Sequence, residues 1–565
     1  MEKIWLKSYK NNVPHEVGLD DKTIVDLFEA TCKAYPDNRA VTCHGETLSF
    51  SEVHERVSKI ARGLADLGVR HGDRIALVLP NSVQYPLCVF ATHLLGAIVV
   101  NINPLYTASE MEYVIANSEP KVVIILDMFS EKLNGFYNKY GIEHIIVTRI
   151  ADPYPFLKKT IINLVLRYIS KVNPKLQYQP KLFIDLYHNP NKLEESPSVS
   201  NNDIAFIQYT GATTGHPKGA KLLHRNIVAN IYQIYAVIGA QVADLDKQVV
   251  ISALPLYHIF SLTANLFTFF FKGSENVMIP NAKDLKDLVK TMNKTPFTIF
   301  NSLDTLYNKL LEYKPFTSVT HKYYRYGICG GMPTRQSVAD AWFKHTGMYP
   351  TNCYGLTETS PAVSMSYFDD TFNGSVGYPL PSTEINIIDP KTGHSLGIGE
   401  KGIIQIRGPQ LMSGYWRNEE QTKKAISEDG WFNTGDMGYI DTNGHLFISG
   451  RETEMIIVSG FNVYPAEVEL VIDELPEIAE VAVVGYKDEE TGEVPHAYIV
   501  FHEGMSLEKE QIIKHCRKEL ARYKIPRSIN FVSELPKTLV GKIDKKAIVA
   551  KYLANEDKQS GDRHD

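Results

Sequence analysis

Along most of the chain, short and nearly continuous apolar runs alternate with segments whose apolar positions recur every three or four residues. The runs 73–79, 97–102, 121–126 and 144–147 read as strands buried on both faces. Around them, 23–35, 51–67 and 83–95 carry helical spacing, and Pro86 is tolerated because it falls in a first turn. This alternation predicts an α/β architecture on a largely parallel sheet. Farther on, 249–255, 297–301, 326–333 and 351–358 each read as a strand running into a turn. Turns therefore collect at strand C-termini, where open α/β sheets bind ligands.

From Gly377 the apolar period shortens to two. The segments 384–388, 402–407 and 446–449, separated by Gly, Asn and Asp turns, read as a β-rich portion reaching residue 450. After it the pattern is mixed: helices over 466–473 and 509–520, strands over 481–485, 496–501 and 529–532. That content predicts a small α+β domain over 451–565 behind a large domain over 1–450.

Length agrees with that division, since 565 residues exceed what one hydrophobic core serves. A net charge of −6 argues against broad nucleic-acid binding. Six widely spaced cysteines without a C-x-x-C pair read as free thiols in a reducing compartment, so a cytoplasmic setting is expected. The start MEKIWLKSYKNNVPHEV lacks the apolar run of a signal peptide. The longest apolar stretch, 254–271, is broken by Pro255, His258, Ser261 and Asn265 and reads as core, or as the wall of an acyl tunnel. One segment differs. KKTIINLVLRYISKVNPK, from Lys158 to Lys175, places Ile161, Leu164, Val165, Tyr168, Ile169 and Val172 on one stripe, and all its charges are positive. It is either a helix lying peripherally on an anionic membrane, at its inner face, or a surface helix covering the core.

The densest chemical signal is YTGATTGHPKGA: Tyr209, Thr210, Gly211, Ala212, Thr213, Thr214, Gly215, His216, Pro217, Lys218, Gly219 and Ala220. A buried strand over 204–209 precedes it, and 222–238 is expected to be a helix. Glycines let the backbone approach an anion, inward N–H groups bind it, and lysine adds a mobile charge. The spacing is not G-x-x-x-x-G-K-[ST], so this is a phosphate loop of another kind, the plain alternative being a polar surface loop.

Seven motifs stand in one order: YTGATTGHPKG, PLYHIF, CGGMP, YGLTE, DGWFNTGD, GR followed by EMIIVSGFNVYP, and PKTLVGKI. Together they resemble the adenylate-forming acyl-CoA synthetases, and among these the bacterial long-chain fatty acid–CoA ligases, over nearly the whole length. The resemblance implies that a fatty carboxylate attacks the α-phosphate of ATP, giving acyl-adenylate and pyrophosphate, and that the coenzyme A thiol then displaces AMP. It implies Mg²⁺ as cofactor, held by Glu358 with Thr210 or Thr214. It places the β- and γ-phosphates on the loop from Tyr209 to Ala220. The adenine is walled by Gly330, Gly331, Met332, Pro333 and Tyr354, with Gly355, Leu356 and Thr357 completing that motif. Asp436 takes the ribose hydroxyls, Arg451 the ribose and phosphate, and Lys542 bridges the acyl carboxylate and the α-phosphate. Val458, Ser459, Gly460 and Phe461 line a coenzyme A tunnel in a second pose of a mobile C-terminal domain, which turns on a hinge over 450–453 that includes Thr453. His258 is either a core histidine or one that orients substrate.

Some positions depart from the family pattern. Ala212 stands where relatives carry Gly or Ser, Thr453 where they carry Asp or Lys, and Asp544 and Lys545 where a basic end is usual. Two neighbouring activities stay open: a ligase for aryl or medium-chain acids, and one loading a carrier protein. A lipid-binding member without activity is the non-enzyme alternative, against which Glu358, Asp436, Arg451 and Lys542 speak.

Overall fold

The computed structural model describes residues 3–10, 12–155, 159–160, 162, 174–210, 217–242, 244–459, 461–488, 490–538 and 542–553. Its largest sheet has seven strands, in the order Lys181–Leu182, His144–Thr148, Val122–Leu126, Arg74–Val78, Ile98–Asn101, Ile204–Tyr209 and Gly219–Leu223. All neighbours are parallel except the last pair. The central strands are apolar because both faces are covered. Ile75 and Leu77 pack into one core with Phe28, Ile60 and Phe90, whereas Ala76 and Val78 pack into another with Met111 and Val114. Capping boxes start the covering helices: Thr23 with Asp26 for Ile24–Ala34, and Ser49 with Glu52 for Phe50–Asp66.

Two expectations are corrected. The glycine-rich stretch does not lead from a strand into a helix. Residues Gly219–Leu223 form an antiparallel strand that returns along Ile204–Tyr209, with Tyr209 opposite Gly219, and the helix begins only at His224. The other edge of this return strand is also paired: Lys221 N–H donates to Gly414 O, and Trp416 N–H to Gly219 O. Backbone pairing on two sides outweighs the helical spacing of Leu222 and Leu223. The expected strand over 297–301 is reduced to single bridges from Ile299 to Val250 and Tyr326. Pro296 offers no N–H, and the Thr298 hydroxyl takes the Val249 N–H in place of a backbone carbonyl.

Through Ile299 and Ser302, the sheet Val249–Ser252, Glu275–Met278, Arg39–Cys43 and Glu46–Ser49 runs on toward Ile328–Cys329, Thr351–Gly355, Ala362–Met365 and Tyr378–Pro379. The β-rich portion is an antiparallel meander, Glu384–Ile388, Gly402–Arg407, Phe432–Ile440 and Leu446–Arg451. Beyond it the chain builds a five-stranded sheet with its own core of Ile456, Val468, Ile472, Val483, Ile499 and Ile512. The apolar run over 254–271 is helical from Ile259 to Phe270 and includes a π-turn at Leu262–Phe267. Phe270 packs on Phe28 and Phe90. Among the described residues no helix is long and apolar enough to cross a membrane. The basic segment 158–175 lies largely outside them.

Candidate active site

The strand ends of the large region and the underside of the C-terminal sheet enclose a cleft of about 1590 Å³. Pockets for one small ligand run to roughly 300–1,000 Å³, so this cleft is larger than a single such ligand needs. The flanks of the glycine-rich stretch, Tyr209, Thr210 and Lys218, form one wall. Gly331, Met332 and Pro333 form a second, and Tyr354, Gly355, Leu356, Thr357 and Glu358 a third. Asp436, Arg451, Thr453 and Lys542 close it from the C-terminal side.

Glu358 sits in a 3₁₀ turn, Thr357–Thr359, directly after the strand Thr351–Gly355. A side chain at Gly355 would overlap the Pro361 carbonyl, so glycine is what permits the tight return that aims this turn. The Tyr415 hydroxyl donates to Glu358 Oε1 (2.8 Å), and Met412 N–H donates to the Glu358 carbonyl (2.8 Å). Burial pushes the Glu358 carboxyl above its ordinary range, with Tyr415 and Arg451 opposing the rise. Such a carboxylate is poised for a compensating cation.

Asp436, in the strand Phe432–Ile440, accepts from Arg451 Nε at 2.7 Å and from the Tyr354 hydroxyl at 2.6 Å. Arg451 lies directly opposite it in the neighbouring strand. Burial raises the Asp436 carboxyl, while Arg451, Tyr354 and Lys542 hold it back. Tyr354, expected as an adenine wall, is thus also tied by its hydroxyl to the aspartate expected at the ribose.

Lys542 enters from the C-terminal domain. Its turn is pinned where Thr538 N–H donates to the Lys542 carbonyl (2.7 Å) and Lys542 N–H to the Thr538 hydroxyl (3.2 Å). Desolvation first and Arg451 second lower its pKa, and Asp436 opposes them. His258 follows the strand Val249–Ser252 and also lines the cleft. Its Nδ1 accepts the Phe260 N–H (3.3 Å), and burial together with Lys542 lowers it to about 4, so it is a neutral imidazole at pH 7. Burial pushes the Cys353 thiol up to about 12, which makes it a poor nucleophile in this cleft.

Not every expected residue is in the lining. Gly330 packs behind it against Cys353 and Phe260, while Gly219 and Ala220 are buried in their strand. Pro217 stands two residues before the return strand Gly219–Leu223 and is not in the lining. Val458 and Phe461 lie in paired strands of the C-terminal sheet and Ser459 just after the first; none is in the lining, and Phe461 is exposed and stacked on Tyr523. Gly211, Ala212, Thr213, Thr214, Gly215, His216 and Gly460 fall outside the described residues. Sequence reasoning missed Tyr415 and Gln421. Tyr415 holds Glu358, and Gln421 Oε1 accepts from Lys218 Nζ at 2.8 Å. Neither stands in a pattern with a chemical meaning of its own.

The charged groups of the lining include the cations Lys218, Arg451 and Lys542 and the acids Glu358 and Asp436, and among the described residues the one thiol there, Cys353, is not activated. That suits a polyanionic ligand attacked by a second substrate. Comparison with known proteins agrees. The profile of the AMP-binding enzyme family matches residues 28–416, and that of the AMP-binding enzyme C-terminal domain matches 467–542. The chain is 40% identical to a long-chain-fatty-acid–CoA ligase of Escherichia coli O157:H7 over 96% of its own length and 97% of that protein's. Among solved structures it is similar to ATP-bound MatB from Rhodopseudomonas palustris, with TM-score 0.82, 28% identity, and 94% and 99% of the two chains covered. It is also similar to the anthranilate CoA ligase AuaEII in complex with anthranoyl-AMP, with TM-score 0.84, 26% identity, and 96% and 99% covered. The chain belongs to the family of AMP-binding enzymes.

Proposed function

We propose that the protein is a long-chain fatty acid–CoA ligase that forms an acyl-adenylate from a fatty acid and ATP, releases pyrophosphate, and then forms the coenzyme A thioester with release of AMP. The observation that carries this reading is Lys542, contributed by the last domain, in one cleft with Arg451, Asp436 and Glu358. A weak nucleophile approaching a polyanion needs charge neutralisation and positioning above all, and these groups supply both. In this reading Asp436 holds the ribose, Lys218 and the residues around it the outer phosphates, and Lys542 the α-phosphate and the acyl carboxylate. Ile234, Phe260, Ala264, Ile328, Met365 and Leu380 give the same cleft an apolar side, which suits an acyl chain.

Among the described residues no cluster of three His, Cys, Asp or Glu forms a metal cage. Mg²⁺ needs none, since it is held by one or two carboxylates plus substrate phosphates, and a buried cleft carboxylate such as Glu358, with Thr210 nearby in the lining, meets that demand. When bound it neutralises developing phosphate charge.

The test is ATP-dependent thioester formation across saturated acids of graded length. Rates are expected to peak among the long chains and to require coenzyme A as acceptor; a peak at aryl or short acids would overturn the long-chain reading. Peripheral membrane contact through 158–175 is proposed on its one-sided apolar stripe and uniformly positive charge. Substituting Lys158, Lys159, Arg167 and Lys171 by glutamine is expected to lower the partition constant onto anionic liposomes by up to about 10³-fold, at about 1 kcal/mol per charge near the surface; unchanged co-sedimentation would refute the contact.

A further inference from the structure

The two parts of the chain also meet at a buried ionic cluster in the lining of the same cleft, made of groups not assigned to chemistry. Arg335 stands at the N-cap position of the helix Gln336–Thr346. Its backbone N–H donates to Asp304 Oδ1 (3.0 Å) and its Nε to Asp304 Oδ2 (2.8 Å), so a carboxylate that is only 2% exposed fixes the plane of the guanidinium. So oriented, Nη1 donates to the Ala479 carbonyl and faces Asp473 Oδ1 at 3.8 Å. Both of those partners belong to the C-terminal domain: Asp473 ends the helix Pro465–Asp473, and Ala479 lies in the strand Ile478–Asp488. The Ser337 hydroxyl adds a long contact to Asp473 Oδ2 (3.5 Å).

Among the described residues, Asp473 Oδ1 has no hydrogen-bond partner. Burial raises its carboxyl to about 6, Asp304 adds to the rise, and Arg335 opposes it. Glu480 contributes a third carboxylate to the field around Arg335, although it is itself paired with Lys537. A single guanidinium therefore stands between carboxylates of two domains. Removing it would leave two buried acids facing one another, which is costly. Among the described residues, and beside Arg451–Asp436 at the boundary itself, two other ion pairs join the domains, Lys401–Glu467 and His502–Glu312, both at 3.7 Å and both considerably more exposed, so each is worth little.

The Arg335 contacts occur together with Lys542 in the cleft. Val458, Ser459 and Phe461 are then held away from it. To bring that element to the acyl-adenylate, the domain must turn, break the Ala479 and Asp473 contacts, and return Asp473 to water. We propose that Arg335 is a positioning residue that latches the C-terminal domain in the adenylation pose and so sets the balance between the two half-reactions. This rests on the ligase reading above.

The test uses full-length protein carrying Arg335→Lys or, separately, Asp473→Lys. Lysine keeps a charge beside Asp304 but lacks the fork that serves two domains at once. Lysine at 473 meets Arg335 as a like charge only in the latched pose. Three quantities are read: fatty-acid-dependent pyrophosphate exchange, thioester formation from supplied acyl-adenylate and coenzyme A, and energy transfer between dyes at Lys344→Cys and Glu510→Cys. Both variants are expected to lose about tenfold in exchange, to stay within about twofold in the thioester step, and to shift the transfer signal away from the latched value. Unchanged exchange, or equal loss in both steps with an unchanged transfer signal, would overturn the latch. Unsubstituted protein that exchanges no pyrophosphate would instead overturn the ligase reading, and the transfer signal would still decide the latch.

Discussion

Lys542→Ala is expected to lower fatty-acid-dependent pyrophosphate exchange about 10³-fold, near 4 kcal/mol in the barrier, while thioester formation from supplied acyl-adenylate stays near wild type. The split follows from where the ammonium lies. It comes from the C-terminal domain into a cleft it shares with Asp436 and Arg451, on a turn fixed at Thr538, and its Cε lies close to Gly331. A pre-placed cation at the point where charge is redistributed costs no reorganisation as the reaction proceeds. On the proposed ligase reading it matters to the first half-reaction alone, because the domain turn proposed for the second would withdraw it. A pH signature accompanies the loss. Desolvation and Arg451 hold the ammonium below the ordinary lysine range. The free enzyme therefore sheds this charge at lower pH than an ordinary lysine would, and the alkaline limb of kcat/KM for adenylation lies correspondingly low and vanishes in the variant. Stability should not suffer, since a desolvated charge is being removed. Near-normal exchange by the variant would sink the assignment.

Much of this was legible in the chain, for local reasons. Strands covered on both faces, such as Arg74–Val78 and Val122–Leu126, must be continuously apolar, and they read that way. The change to period two after Gly377 marked the meander whose last strand ends at Arg451. What could not be read is what depends on partners distant in sequence. The return strand Gly219–Leu223 is defined by pairing with both Ile204–Tyr209 and the segment around Gly414, and its last residues, Leu222 and Leu223, fit the helical spacing that follows. Tyr415 acquires meaning only because folding sets it against Glu358, 57 positions away. Tyr354 looked like a flat aromatic wall, and its hydroxyl bond to Asp436 was hidden for the same reason. Arg335 and Asp473 are unremarkable letters until two domains are placed together, so the latch belongs to a pose and not to a motif.

Glu358→Gln is the second large effect: about a 10²-fold loss in adenylation, with half-saturation by Mg²⁺ displaced to higher concentration. Glutamine keeps the shape and can still accept from the Tyr415 hydroxyl, so the turn at Thr357–Thr359 stays closed through that contact and through Met412 N–H. Only the charge is removed. In the free protein that charge is a burden: burial raises the carboxyl, and Tyr415 and Arg451 offset part of the rise. An acid whose folded pKa lies above its unfolded value stabilises the fold only where it is protonated, and that contribution is lost as pH rises through the folded value. At neutral pH the glutamine variant should therefore melt no lower than the parent protein. A residue that had only held the turn would behave in the opposite way, lowering the melting temperature and leaving the metal response unmoved. Titrating Mg²⁺ at saturating ATP and following calorimetric ATP binding at each concentration separates the two. A variant with the parent's half-saturation would show that Glu358 shapes the cleft without holding the ion.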